Sequence, residues 1–117
     1  MKFLLDTNFL VDIIKFKIDI FDEPYEYLTV SNVFEELEKL ASRKTKGMNA
    51  RLAIRLLEIN QVKVMESNKK PTDSALLFFA KVLGYGIATG DKKLIERANA
   101  KNIPILRIKQ KKVLSVE

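Results

Sequence analysis

Phe3-Leu4-Leu5-Asp6-Thr7-Asn8 opens the chain with a β-prone apolar segment that runs directly into a polar turn headed by an aspartate. The same layout returns in Gly86-Ile87-Ala88-Thr89-Gly90-Asp91, where the turn closes on an aspartate. In an open parallel sheet, the strand ends at which the connections reverse direction form a natural ligand crevice. Carboxylates at two such ends converge in space, so these two stretches together suggest a metal site.

The composition is typical of one folded domain. The chain has 117 residues, of which 47% are hydrophobic and 31% charged, enough for one core and too few for two. We therefore expect a single domain over residues 1–117, with a basic tail from about residue 109. The chain contains no Cys and no His, which excludes disulfides, thiolate metal sites, cysteine nucleophiles and imidazole catalysis. Catalysis would have to rest on carboxylates, hydroxyls, amides and cations.

The charge balance favours a polyanionic partner. A net charge of +6 and a pI near 9.6 suit phosphate backbones, because basic surfaces gain affinity by releasing condensed counterions. No apolar run approaches the roughly 18 residues of a membrane span, and Met1-Lys2-Phe3-Leu4-Leu5-Asp6 reaches a charge too early for a signal peptide. We expect a cytoplasmic protein without a membrane segment.

Short apolar segments alternate with longer segments of helical period, which predicts an α/β fold with a parallel sheet between two layers of helices. The expected architecture is a three-layer α/β/α sandwich with a five-stranded, mostly parallel central sheet. The predicted strands cover residues 2–6, 27–30, 62–65, 86–89 and 104–108, and the predicted helices cover 8–15, 32–42, 47–59, 73–83 and 91–101.

Local signals suggest where two of the helices begin. Asn32, followed three residues later by Glu35, predicts a capping box. Thr72 or Asp73, after Pro71, is expected to cap the fourth helix.

Two segments carry weaker signals. The acids, aromatics and proline of residues 16–25 indicate a short helical turn plus loop rather than a strand. The basic and then apolar tail Lys109-Gln110-Lys111-Lys112-Val113-Leu114 is open to three interpretations: a frayed terminus, an edge strand or a phosphate-contacting arm.

The aspartates have a structural explanation as well as a functional one. Asp6 and Asp91 each precede a predicted helix and can act as N-caps. A carboxylate that ends a buried strand is costly unless it finds partners, however, and Thr89 offers a hydroxyl that can orient a carboxylate or a metal-bound water. Asp73, at the start of its helix, is by itself more typical of a cap than of a ligand.

The helix from Asn32 offers three glutamates. At about 100° per residue, Glu35 lies opposite the apolar stripe, while Glu36 and Glu38 lie on its two margins. Periodicity does not choose between those two.

Four short motifs, in this order and context, resemble the PIN domain ribonucleases in their small single-domain form. The resemblance covers essentially the whole chain, and its glutamate-leucine motif selects Glu36. One departure is Gly90, which stands where the family often has Asn and leaves the following aspartate in place. The motifs are Leu5-Asp6-Thr7-Asn8, Val33-Phe34-Glu35-Glu36-Leu37, Pro71-Thr72-Asp73-Ser74-Ala75-Leu76 and Ala88-Thr89-Gly90-Asp91-Lys92-Lys93-Leu94.

The resemblance implies a metal-dependent endoribonuclease that hydrolyses RNA with single-stranded character. Crowded carboxylates repel one another unless a hard divalent cation neutralises them, and Mg²⁺ or Mn²⁺ is the expected ion. The expected ligands are Asp6, Asp91, Asp73 and Glu36, with Asn8 and Thr89 orienting ligands or the attacking water. The lysines expected to contact flanking phosphates are Lys92, Lys93, Lys109, Lys111 and Lys112.

The biological role and the partners stay open at this stage. Residues 16–21 and 107–112 resemble the archaeal branch similar to ribosomal-RNA-processing PIN proteins, whereas VapC-type toxin nucleases share the same acids. An antitoxin partner is expected only for the toxin role. The apolar run Leu76-Leu77-Phe78-Phe79 suggests a homodimer, and the alternative is a helix buried on two sides.

Three other functions are compatible with acids at strand ends in a chain of this size. A receiver-like phosphoacceptor usually has an acid pair at the first strand and an aspartate ending the third, but Met65 is followed by Glu66-Ser67-Asn68. A haloacid-dehalogenase-like phosphatase requires a second aspartate two residues after the first, and position 8 is Asn8. A catalytically inactive PIN-like RNA-binding or assembly module is the third alternative, and the intact acids argue against it.

Overall fold

Strands and helices alternate along the chain as the hydrophobic pattern predicts. A computed structural model describes residues 1–45 and 47–117, which form six strands, five α-helices and one short 3₁₀ helix. Every predicted strand and helix is confirmed, with bounds that differ by a residue at most. In chain order the elements are β1 (Lys2–Leu5), α1 (Thr7–Lys15), the 3₁₀ helix (Ile20–Asp22), β2 (Glu26–Val30), α2 (Ser31–Ala41), α3 (Gly47–Ile59), β3 (Lys63–Met65), α4 (Thr72–Leu83), β4 (Gly86–Ala88), α5 (Lys92–Ala100), β5 (Ile105–Lys109) and β6 (Val113–Val116).

The direction in which successive strands are added to the sheet reverses between β1 and β4. The sheet runs β3-β2-β1-β4-β5-β6, and β1 is parallel to both neighbours, with Leu4 opposite Leu28 on one side and Ile87 on the other. Because crossovers between parallel strands are right-handed, the reversal places α1, α2 and α3 on one face and α4 and α5 on the other. The carboxyl ends of β1 and β4 therefore border the crevice that this topology predicts.

The central strands are buried on both faces. Phe3, Leu4 and Leu5 in β1 and Ile87 and Ala88 in β4 are fully buried, which explains why these segments are continuous apolar runs rather than alternating ones. Within the described residues, no helix has the length and apolar character needed to cross a membrane.

Gly86 allows β4 to pass close to an aromatic ring of β1. It lies opposite Phe3 in the parallel register, and a Cβ added at this position would come within 2.5 Å of Cε1 of Phe3. Only glycine fits without moving the ring or the strand.

The predicted caps of α2 and α4 are wrong. Helix α2 begins one residue early, at Ser31, and its N-cap residue Val30 makes no side-chain cap hydrogen bond. The Asn32 side chain instead donates from Nδ2 to the Lys69 carbonyl oxygen, at 2.7 Å. Helix α4 follows Pro71, also without a side-chain cap. In both places the side chains expected to cap the helix serve contacts between distant segments.

The tail adds a sixth strand, which corrects the expected count of five. Strand β6 pairs antiparallel with β5, and Leu114 lies opposite Ile108. A tight turn joins them, with left-handed backbone at Gln110 (φ 56°) and Lys111 (φ 57°). Such turns usually carry Asn or Gly, and their absence explains why the sequence left this hairpin undecided between three interpretations.

Candidate active site

Asp6 lies where β1 ends, and it is tied to β4. Its backbone N–H donates to the Ala88 carbonyl oxygen at 3.0 Å. Its carboxylate accepts from the Thr7 N–H at 2.8 Å and from the Thr89 hydroxyl at 2.7 Å. Asp6 is therefore the N-cap of α1 and also a buried carboxylate in the crevice, so its role as a cap does not remove it from the predicted site.

Burial raises the pKa of Asp6 to about 6. Desolvation is the largest cause, and the nearby charges of Asp73 and Glu36 add to it, while the hydrogen bonds from Thr89 and Thr7 act in the opposite direction. A carboxylate with these surroundings is stabilised by any cation that enters the crevice.

Glu36 joins three helices through two threonine hydroxyls. One carboxylate oxygen accepts a short hydrogen bond from the hydroxyl of Thr7, at the start of α1. The other accepts from the hydroxyl of Thr72, at the start of α4, at 2.7 Å. Of the glutamates on α2, Glu36 is half-buried while Glu35 and Glu38 are exposed, so the structure resolves the choice that periodicity left open.

Asp73 and Asp91 border the crevice from the opposite side of the sheet. Burial raises the pKa of Asp73, with a further contribution from the Asp91 charge, while the Arg97 charge lowers it. Asp91 caps α5 by accepting from the N–H groups of Lys93 at 2.9 Å and Leu94 at 3.5 Å. The backbone N–H of Asp91 donates to the Thr89 hydroxyl at 3.1 Å, so Thr89 links Asp91 to Asp6.

These elements enclose a cleft of about 330 Å³, which we call the acid cleft. Its lining includes all four predicted acids together with Asn8. Thr89 lies behind this lining, bonded to Asp6. Besides Leu40, four polar or charged lining residues were not among the predicted site residues. They are Thr7, Lys39, Arg43 and Thr72. Thr7 and Thr72 fall within the quoted motifs. Lys39 and Arg43 belong to no motif, and their only sequence signal is their spacing from Glu36.

The five predicted phosphate-contacting lysines lie outside the lining of the acid cleft. Lys92 and Lys93 are exposed at the start of α5, next to Asp91. Lys109, Lys111 and Lys112 belong to the hairpin between β5 and β6, and the ammonium of Lys111 lies 5.6 Å from the centre of the Phe16 ring, at the end of α1 remote from the cleft. The cations that do belong to the lining of the acid cleft are Lys39 and Arg43.

The donor set of the acid cleft suits a hard divalent cation. Within residues 1–45 and 47–117, no three acidic side chains lie close enough together to enclose one ion directly. Asp6, Glu36 and Asp91 also use carboxylate oxygens for hydrogen bonds to neighbouring N–H and hydroxyl groups. Mg²⁺ commonly binds through one or two carboxylates and keeps several waters, so this arrangement fits an ion with the remaining acids in its outer shell.

Known proteins of the PIN type match this chain in sequence. The family model described as "PIN like domain" matches residues 3–111. Two relatives are similar over nearly the full length of both chains: Ribonuclease VapC4 of Methanocaldococcus jannaschii, 33% identical over 98% of this chain and 95% of the relative, and Ribonuclease VapC9 of Archaeoglobus fulgidus, 32% identical over 97% and 87%.

Solved structures share the fold. The structure of the PIN domain endonuclease Utp24 superposes with a TM-score of 0.83, at 27% identity over 99% of this chain and 90% of that chain. A domain of a functionally unknown protein from Methanocaldococcus jannaschii matches in fold alone, with a TM-score of 0.67 at 18% identity over 92% and 91% of the two chains. With its mostly parallel sheet, its cleft of four acids and these matches, the chain belongs to the PIN-like domain family.

Proposed function

We propose that this protein is a metal-dependent endoribonuclease that hydrolyses phosphodiester bonds in RNA with single-stranded character. The observation that carries the proposal is the acid cleft, to which the turn after β1, helices α2 and α4, and the turn before α5 each contribute one carboxylate. Support also comes from the two full-length relatives, both of which are named ribonucleases.

The protein's contribution to the reaction follows from its side chains. A divalent ion, when bound, supplies Lewis acidity and lowers the pKa of a water molecule. Asp6 and Asp91 hold that ion, with Asp73 and Glu36 acting directly or through water. Asn8 and Thr89 orient ligands or the attacking water, and Lys39 and Arg43 contact phosphates beside the scissile one. An unpaired strand suits this cleft because its backbone bends more freely than that of a duplex.

The proposal is tested by cleavage of a labelled single-stranded RNA in Mg²⁺ or Mn²⁺. We expect the unsubstituted protein to cleave it and Asp6→Asn to lose at least about a hundredfold in rate, since even outer-shell changes at metal sites cost about 10 to 100-fold. Asp22→Asn, at an exposed acid of the 3₁₀ helix, is the matched control and should cleave normally. Binding without cleavage in any divalent metal would contradict the proposal and favour an inactive RNA-binding module.

Two biological roles fit this activity. The names of the two full-length relatives favour a VapC-type toxin, for which we expect an antitoxin partner. The likeness of residues 16–21 and 107–112 to the archaeal branch favours ribosomal RNA processing. A toxin should arrest growth when it is induced and be neutralised by its partner, whereas a processing enzyme should cut precursor ribosomal RNA at defined positions without arresting growth.

We also infer a homodimer formed through α4. Leu76 and Leu77 are buried within the monomer, as the alternative explanation of the apolar run requires. Phe78, Val82 and Leu83 are nevertheless 41%, 63% and 42% exposed. Exposed apolar patches are typical of protein–protein contacts, and these three side chains are the surface that a second copy would cover.

A further inference from the structure

A second groove, of about 660 Å³, adjoins the acid cleft. The two share three lining residues: Glu36, Lys39 and Thr72. We call it the α2–α4 groove, because one wall is α2 and the other is the turn that leads into α4. A chain lying in the acid cleft can continue into this groove without leaving the surface.

Helix α2 provides a continuous wall for both depressions. Asn32, Glu36 and Lys39, followed by Arg43 just beyond the helix, are spaced by four, three and four residues, which places them along one side of the helix direction. At 1.5 Å per residue this wall is about 16 Å long, longer than a single nucleotide requires.

The chemistry of the α2–α4 groove suits a nucleotide. Lys39 and Lys70 are exposed cations in its lining, and cations at this position can neutralise a phosphate. Glu35, also exposed, offers an acceptor to a base amino group or to a ribose 2′-hydroxyl. A volume of about 660 Å³ lies within the range of small-molecule sites.

Asn32 holds an unsatisfied polar atom in the wall of the groove. Its side chain lines the groove and is only 8% exposed. Nδ2 donates to the Lys69 carbonyl oxygen, but no donor among the described residues reaches Oδ1. A buried acceptor without a partner is costly, but this oxygen has essentially no accessible surface, so a molecule in the groove would reach it only if the Asn32 side chain turned.

We propose that the α2–α4 groove binds the nucleotide next to the cleaved phosphodiester, with Lys70 and Lys39 contacting its phosphate. This inference rests on the proposed ribonuclease function. It makes Lys70 a residue of the substrate path, although Lys70 lies outside the acid cleft and outside every motif that was assigned a role in catalysis.

The test measures RNA affinity of the full chain with Lys70→Ala. Binding of a fluorescein-labelled single-stranded RNA is followed by anisotropy across a salt series, in the Asp6→Asn background to prevent cleavage. Loss of one phosphate contact should make the decrease of log K with log salt shallower, by about 0.7 in slope. This corresponds to roughly fivefold weaker binding at 0.1 M salt. Lys70→Arg should restore most of the affinity.

Lys63→Ala is the matched control. Lys63 is an exposed lysine at the amino end of β3, whereas the acid cleft lies at the carboxyl ends of the strands. Equal affinities and slopes for Lys70→Ala and Lys63→Ala would overturn the groove proposal. The two proposals fail differently. A protein without substitutions that cleaves no RNA in Mg²⁺ or Mn²⁺ would contradict the ribonuclease function, whereas cleavage with an indifferent Lys70 would contradict the groove alone.

Discussion

Asp6 shows how one carboxylate serves both the fold and the site. Its hydrogen bonds to Thr7 and Thr89 orient the side chain and hold the start of α1 beside the end of β4. The same burial that positions the carboxylate also raises its pKa to about 6. The metal-free protein therefore carries an unfavourable charge at neutral pH, which a bound cation would relieve.

We predict that Asp6→Asn stabilises the metal-free protein at pH 7.5. Because the pKa of Asp6 is higher in the folded state, about 6, than the ordinary value of 3.8, the folded protein binds more protons, and the free energy of unfolding falls as pH rises through this window. A shift of this size corresponds to at most roughly 3 kcal/mol. The substitution removes that penalty.

Denaturant unfolding in EDTA at pH 7.5 and pH 4.5 measures the effect. The advantage of Asp6→Asn over the unsubstituted protein should shrink by roughly 2 kcal/mol at the lower pH, where Asp6 is largely protonated. Asp22→Asn, at an exposed position, serves as the control for removing an acid. An advantage that does not change with pH would mean that titration of Asp6 is not its cause.

At the scale of the elements, the close passage of β4 against β1 sets the geometry of the cleft. Phe3 and Gly86 are register partners two residues before the paired ends Leu5 and Ala88. Displacing either strand here would also displace Asp6 and Thr89, which follow directly.

We predict that Gly86→Ala destabilises the protein by about 1 to 3 kcal/mol, the usual cost of overpacking a filled core. The added methyl would lie within 2.5 Å of the Phe3 ring and 2.8 Å of the Pro104 carbonyl oxygen. Gly90→Ala is the matched control for stability, since a Cβ there meets no atom within 4 Å. Equal unfolding midpoints for the two variants would show that β4 can shift to accept the methyl.

Across the whole molecule, apolar and charged surfaces are separated. The exposed apolar side chains of α4 are Phe78, Val82 and Leu83, whereas the acid cleft and the α2–α4 groove are lined mainly by polar and charged groups. A dimer formed through Val82 and Leu83 would cover apolar surface near the end of α4, while both depressions are at its beginning, at Thr72.

We predict that Val82→Lys converts the proposed dimer into a monomer, because it would place a charge within the apolar contact. Sedimentation equilibrium at micromolar concentration measures the change. Met48→Lys is the control, since Met48 is similarly exposed, at 58%, but lies on α3. A monomeric unsubstituted protein at these concentrations would contradict the proposed dimer.

The sequence by itself determined the order of the first five strands and the five helices, the single core and the acids at the strand ends. Continuous apolar runs such as Phe3-Leu4-Leu5 indicate strands buried on both faces, and helical periodicity indicates the helices between them. These are local properties, and they can be interpreted without knowing what the segment contacts.

Only the tertiary structure decided which side chains meet. The bonds of Thr7 and Thr72 to Glu36, the choice of Glu36 over Glu38, and the adjoining groove at Lys70 all depend on segments distant in sequence. Asn32 shows most clearly where prediction from the sequence ends. It has the sequence pattern of a helix cap, but its side chain donates to the Lys69 carbonyl oxygen instead. The physical reason is that crossover handedness and strand register bring these segments together, and neither leaves a periodic signal in the residues concerned.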